Sequence, residues 1–251
     1  MKFIGYCLSA ALVSVLTGCA TPQPLVKDVL ADPEAHLTAS FTEAKLSDSV
    51  RAALGIKTPG GVKRIIRIDT VMTNIDGDNK QSFEKKNTYY VLDNGLVRSM
   101  VQTGNNGIFS FTEFDLTYYD IFPLIYQSMS HGATRPYSPT YTKAIATLDK
   151  GIADPRETTE YVFEYALAPE IQIANFRNQK TVCQTGKWFP ANTLHAKLTG
   201  MALPVDCEYF GTNGQTFLKL KSVFIKELGV TMKRESVSST RKRTWTIGDV
   251  R

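Results

Sequence analysis

The stretch V62-KRIIRIDTVMTNIDGDNKQSFEKKNTYYVLDNGLVRSMVQ-T103 decides the fold. Its first part, Val62 to Asn74, is dense in β-branched residues, with Ile65, Ile66, Ile68 and Val71. That composition favours a strand, because branched side chains pack well on a pleated surface. Asp76-Gly77-Asp78-Asn79 resembles a calcium loop at first sight. The twelfth position of such a loop requires a glutamate, and Asn87 stands there. A turn between strands is therefore the expected role. Gln81 to Leu92 is a second strand, Asp93-Asn94-Gly95 a second tight turn, and Leu96 to Thr103 pairs back. Strand, turn, strand, turn, strand is a β-meander.

Downstream, Ile108 to Phe114 alternates Phe109, Phe111 and Glu113 against Ile108, Ser110 and Thr112, as a strand does. The aromatic run Asp115 to Ser130 is expected to be helical after Asp120, with Pro123 in its first turn. Ser138-Pro139 is expected to open a short helix reaching Lys150. Glu157 to Leu167 returns to alternation, with Tyr161, Phe163 and Tyr165 on one face and Glu160, Val162 and Glu164 on the other. Thr216–Lys226, Val230–Ser236 and Thr244–Ile247 are short strands, joined at Asn213-Gly214 and Leu228-Gly229. Upstream, Ser40 and Glu43 form the S-x-x-E pattern of a capping box before a helix that ends at Gly55. These readings give an α+β protein: a mostly antiparallel, curved β-sheet or half-barrel, with helices around residues 41–54, 116–130 and 140–150 packed on one side.

The N-terminus reads MKFIGYCLSAALVSVLTGCA. Lys2 precedes an uncharged apolar stretch from Phe3 to Leu16, the length of a signal-peptide core and short of the roughly 20 residues of a spanning helix. Leu16-Thr17-Gly18-Cys19 resembles the lipobox of bacterial lipoproteins. The resemblance covers this segment alone. It implies removal of residues 1–18, diacylglyceryl transfer to the Cys19 thiol and acylation of the new amine. It also implies an envelope location; Ala20 in place of an aspartate favours an outer-membrane anchor facing the periplasm in a diderm host. Two or three acyl chains hold a protein on a membrane durably, where one does not. Residues 19–39 are expected to be a lipidated tether, since Thr21-Pro22-Gln23-Pro24 resists regular structure, and residues 40–251 a single β-rich domain.

The whole chain has 251 residues, 43% hydrophobic and 10% aromatic, and a formal charge of +5. That balance suits a globular core and is too mild for a nucleic-acid binder. The charge is uneven: from Lys219 to Arg251 basic residues outnumber acidic ones nine to three. A solvated strand face accounts for this, and contact with anionic headgroups is the sharper alternative. Cys183 and Cys207 remain as an even pair in an exported chain, which suggests one disulfide. Nothing calls for a metal or cofactor, because no CxxC or HxxxH spacing occurs. His36, His131 and His195 are widely spaced, and no G-x-S-x-G, GxxxxGK[ST] or GxGxxG motif is present. Glu160 and Glu164 share a strand face and are the only suggestion of acid–base chemistry on a glycan. Trp188 and Phe189 beside Cys183, and Tyr118 and Phe122 in the aromatic run, are the candidate ligand-contact residues; core packing is their alternative role.

Three functions are compatible with this pattern. The first is a non-catalytic binding or assembly module held at the membrane through acylated Cys19, with an envelope protein as partner. The second is a carrier of acyl chains or another apolar ligand. The third is an enzyme acting on cell-wall glycan or peptide. A continuous internal cavity favours the second, and a gathering of His195 with Glu160 or Glu164 the third.

Overall fold

The computed structural model describes residues 24–251. Cys19, the rest of the lipobox and residues 1–18 lie outside the described residues. Three helices come first: α1 (Val26–Ala31), α2 (Pro33–Ser40) and α3 (Asp48–Leu54). Thirteen strands follow: β1 (Val62–Asp76), β2 (Asn79–Leu92), β3 (Leu96–Asn105), β4 (Ile108–Tyr118), β5 (Phe122–Ser130), β6 (Thr140–Leu148), β7 (Glu160–Pro169), β8 (Arg177–Thr185), β9 (Phe189–Pro190), β10 (Met201–Phe210), β11 (Thr216–Ile225), β12 (Val230–Ser238) and β13 (Lys242–Val250).

Neighbouring strands run antiparallel and mostly follow chain order from β1 to β8. Two further contacts close the circle. β13 returns to β1, where Arg67 and Arg251 exchange backbone hydrogen bonds of 2.9 and 2.8 Å. β10 pairs with β8 on one side and β11 on the other. Twelve strands therefore form a closed barrel, with the two-residue β9 added on β10. Closure removes the unpaired edges that an open sheet would expose.

This corrects the α+β expectation of a half-barrel with helices on one side. The meander is present as read, and both hairpin turns lie where their Gly residues predicted. Gly77 (φ 57°) joins β1 to β2 and Gly95 (φ 83°) joins β2 to β3. A Cβ on Gly95 would come within 2.7 Å of the Tyr119 ring, so the turn needs glycine twice over. The expected helices at 116–130 and 140–150 are strands instead. Tyr119 and Asp120 both adopt left-handed backbone (φ 51° and 56°), which turns the chain tightly between β4 and β5. The run looked helical because β5 is covered on both faces, with Phe122, Ile125 and Met129 in the core and Pro123, Leu124 and Tyr126 on the cavity, so its apolar residues are nearly continuous. Near Ser40 the chain also differs: Ser47 caps α3 by accepting from Val50 N–H at 3.3 Å, and Gly55 (φ 77°) ends it.

The expected tether is structured from Val26 onward. Val26, Val29 and Leu37 of α1 and α2 are buried in the main core. Asp32 caps α2 by accepting from Ala35 N–H, and Pro33 occupies its first turn. The short helical segment packs locally on the barrel wall, at β3, β4 and β6. Phe41 lies 5.7 Å from Phe114 of β4 and His36 lies 5.1 Å from the same ring. Burial of such an aromatic side chain stabilises the fold by about 1.5–3 kcal/mol. A second cluster, including Ile66, Ile68, Val97, Ile225 and Val230, fills the barrel near the β2–β3 and β11–β12 turns.

Candidate functional site

Directly opposed residues of antiparallel strands share a face, so register dictates what lines the barrel. One row runs Ile66–Tyr89–Ser99–Asp115–Tyr126 across β1 to β5. The next runs Ile68–Asn87–Val101–Glu113–Ser128. Residues on the other face of these strands, such as Tyr90, Met100 and Phe114, pack in the core that holds the helices. The first face looks into a cavity of about 570 Å³. That volume lies within the range of small-molecule sites, about 300–1,000 Å³.

The wall has two characters. Strands β2 to β4 contribute Lys85, Asn87, Ser99, Glu113, Asp115 and Thr117. Strands β7, β10, β11 and β12 contribute Leu167, Val205, Tyr209, Leu218, Leu220 and Met232. Exposed Tyr126, Arg177, Phe217 and Lys233 mark where the cavity meets solvent.

The polar side is an ordered network. Lys85 Nζ lies 3.3 Å from Glu113 Oε2, and Tyr126 donates its hydroxyl to Glu113 Oε1 at 3.1 Å. Burial pushes the Lys85 ammonium below its ordinary range, against the pull of Glu113. Burial pushes Glu113 up, but the charges of Lys85 and Lys233 and the bonds from Lys85 and Tyr126 outweigh it and hold this carboxyl low. Ser99 donates to Asp115 Oδ2 at 3.4 Å. Asp120 accepts from Thr231 N–H at 2.6 Å and from the Thr117 hydroxyl at 3.4 Å. Burial raises Asp115 and Asp120 to about 7 each. For Asp115 the charge of Lys233 opposes the rise, and for Asp120 the Thr231 hydrogen bond does.

Cys183 and Cys207 are joined by a disulfide between directly opposed positions of β8 and β10, and Cys207 reaches the cavity wall. The four candidate ligand-contact aromatics lie elsewhere. Phe122 packs on Phe163 and Tyr165 at 5.5 and 5.0 Å, and Tyr118 stacks edge-on with Tyr119 at 4.6 Å. Trp188 lies under Lys226 Nζ at 5.5 Å, and Phe189 packs on the second cluster. None of the four lines the cavity.

The catalytic candidates are not gathered. Glu164 is half-buried and pairs with Lys180 at 3.0 Å, while His195 Nδ1 accepts from Lys197 N–H in the loop before β10. His36 bonds Gln127 and His131 bonds Thr112. Among the described residues no cluster of His, Cys, Asp or Glu is arranged to hold a metal ion, and no helix is long and apolar enough to cross a membrane. In the basic C-terminal region, Lys219 pairs with Glu208, and Lys221 and Lys242 both reach Glu235. Much of that charge is thus locally balanced, as a solvated face predicts.

No protein-family model matches the chain, and no curated protein does. Two solved structures resemble it in chain trace. One is a DUF1329 family protein from Desulfovibrio piger, with 10% identity, a TM-score of 0.39, and coverage of 82% of this chain and 93% of that one. The other is a LolA superfamily protein from Nitrosomonas europaea, with 11% identity, a TM-score of 0.33, and coverage of 79% and 89%.

The residues that build the polar wall were missed in the sequence because they alternate with others. Lys85 and Asn87, like Glu113 and Asp115, have the spacing of a solvent-facing strand side. One signal was available: Phe111, Phe114 and Tyr118 share their strand with Glu113 and Asp115, so neither face of β4 is wholly polar.

Proposed function

We propose that the barrel is a non-catalytic carrier of an apolar or amphiphilic small molecule in the cell envelope. The observation that carries this reading is the 570 Å³ cavity, with apolar side chains on one wall and a confined polar network on the other. A core built for stability alone would fill such a space, because interiors pack nearly without voids. The assembly-module reading has no comparable feature, and the cell-wall enzyme reading lacks a gathered set of catalytic groups. The lipobox resemblance at Leu16–Cys19 adds an acyl anchor, so that the carrier works beside a membrane.

The test is organic extraction of the purified protein followed by mass spectrometry, together with titration by an environment-sensitive apolar fluorophore. Stoichiometric lipid, or saturable fluorophore binding that extracted lipid displaces, is the expected result. A protein free of lipid that leaves the fluorophore unbound overturns the carrier reading.

A further inference from the structure

We propose that the cavity selects an amphiphile whose polar end donates hydrogen bonds, with an amine-type head in place of a carboxylate, and that Asp115 is its acceptor. This rests on the carrier reading and assigns the chemistry of the head.

The argument begins with the ring order of the strands. β2 to β4 stand across the barrel from β8 to β11. The polar network and the wall of Val205, Leu218 and Leu220 therefore face each other. A tail lying along the apolar wall presents its polar end to the network.

Of the three carboxyls there, two are engaged. Glu113 holds Lys85 and the Tyr126 hydroxyl. Asp120 holds the Thr231 N–H and the Thr117 hydroxyl. Asp115 has the Ser99 hydroxyl at 3.4 Å and, among the described residues, no cation within ion-pair distance. It is directly opposed by Tyr126, which is exposed where the cavity meets solvent, so a head entering there meets Asp115 early. Burial raises the affinity of Asp115 for its proton, and the single bond from Ser99 does not offset it.

An acid head fares worse. A carboxylate beside Asp115 also faces Glu113 and Asp120 inside a partly desolvated space, where like charges repel strongly. The Lys85 ammonium is already taken by Glu113. Lys233 and Arg177 at the mouth are the competing anchors for an anion, and both are exposed to solvent, which weakens their pull.

The experiment compares a long-chain alkylamine with the fatty acid of equal chain length, each displacing the same fluorophore from the wild-type protein at neutral pH. The amine is expected to bind about tenfold more tightly or better, the difference one ionic contact supplies. Asp115→Asn is expected to abolish that preference while still binding both probes. Equal affinities in the wild type, or a preference for the acid, overturn the head assignment and leave the carrier reading standing. Failure of both probes to displace the fluorophore overturns the two together. The wild-type ranking needs no variant, so it decides even where Asp115→Asn does not fold.

Discussion

Arg98 of β3 donates through Nε to the backbone carbonyl of Phe41 at 2.8 Å, and its guanidinium stands 3.7 Å from the carboxyl of Glu43. Both residues are nearly buried, Arg98 at 9% exposure and Glu43 at 6%. Glu43 in turn accepts from Gly60 N–H at 2.8 Å. This pair ties the helical segment to the sheet at a point where Phe41 is fully buried.

Removal of one partner from such a pair leaves a buried charge uncompensated, which costs more than the pair itself contributes. Arg98→Met is expected to destabilise the protein by about 3 kcal/mol. Denaturant unfolding measures it. A loss below about 0.5 kcal/mol would show that the helical segment is held by apolar packing alone.

The disulfide between Cys183 and Cys207 closes a loop with a sequence separation of 24. In the chain-entropy account, replacing both cysteines by alanine destabilises by roughly 3 kcal/mol. The midpoint of denaturant unfolding should fall accordingly. Because the bond links β8 and β10 beside the cavity, ligand affinity should fall with it. Unchanged unfolding on reduction would contradict the structural role.

Leu220 projects into the cavity from β11. Leu220→Trp places a larger ring in empty space, so fluorophore binding should weaken by about tenfold or more. Stability should stay within about 1 kcal/mol of wild type, because no packed neighbour is displaced. Full binding by this variant would place the ligand elsewhere on the molecule.

Asp115 sets a pH dependence with a definite sign. Its folded pKa, about 7, lies above the ordinary carboxyl value of 3.8 because burial disfavours the charged form. The folded state therefore holds more protons than the unfolded state between these values, and stability declines as pH rises through that window. Asp115→Asn removes this term, so the variant should gain on wild type as pH rises from 3.8 to about 7. A wild-type-to-variant difference that stays constant across the window would refute the burial account.

The acyl anchor is tested at Cys19. Cys19→Ser is expected to yield a soluble form or an uncleaved precursor, read by fractionation and intact mass. A cleaved, membrane-bound Cys19→Ser protein would remove the lipobox reading and the envelope placement built on it.

The amino-acid sequence by itself determined the local pieces. Gly77 and Gly95 set the two meander turns, because their backbone conformations suit glycine and little else nearby competes. The β-branched run before Gly77 set a strand, and the single even pair of late cysteines pointed to the bond that joins β8 to β10. Only the tertiary structure decided the rest. Closure depends on β1 meeting β13 and β10 meeting β11, and the first of these joins the first strand to the last. Asp120 became a turn residue bonded to Thr231, far along the chain, and not a helix start. Lys85, Glu113 and Asp115 have the alternation of a solvent face, yet register and closure turn them inward. Turn preferences act over a few residues, whereas the inside of a barrel exists only once distant strands share a register.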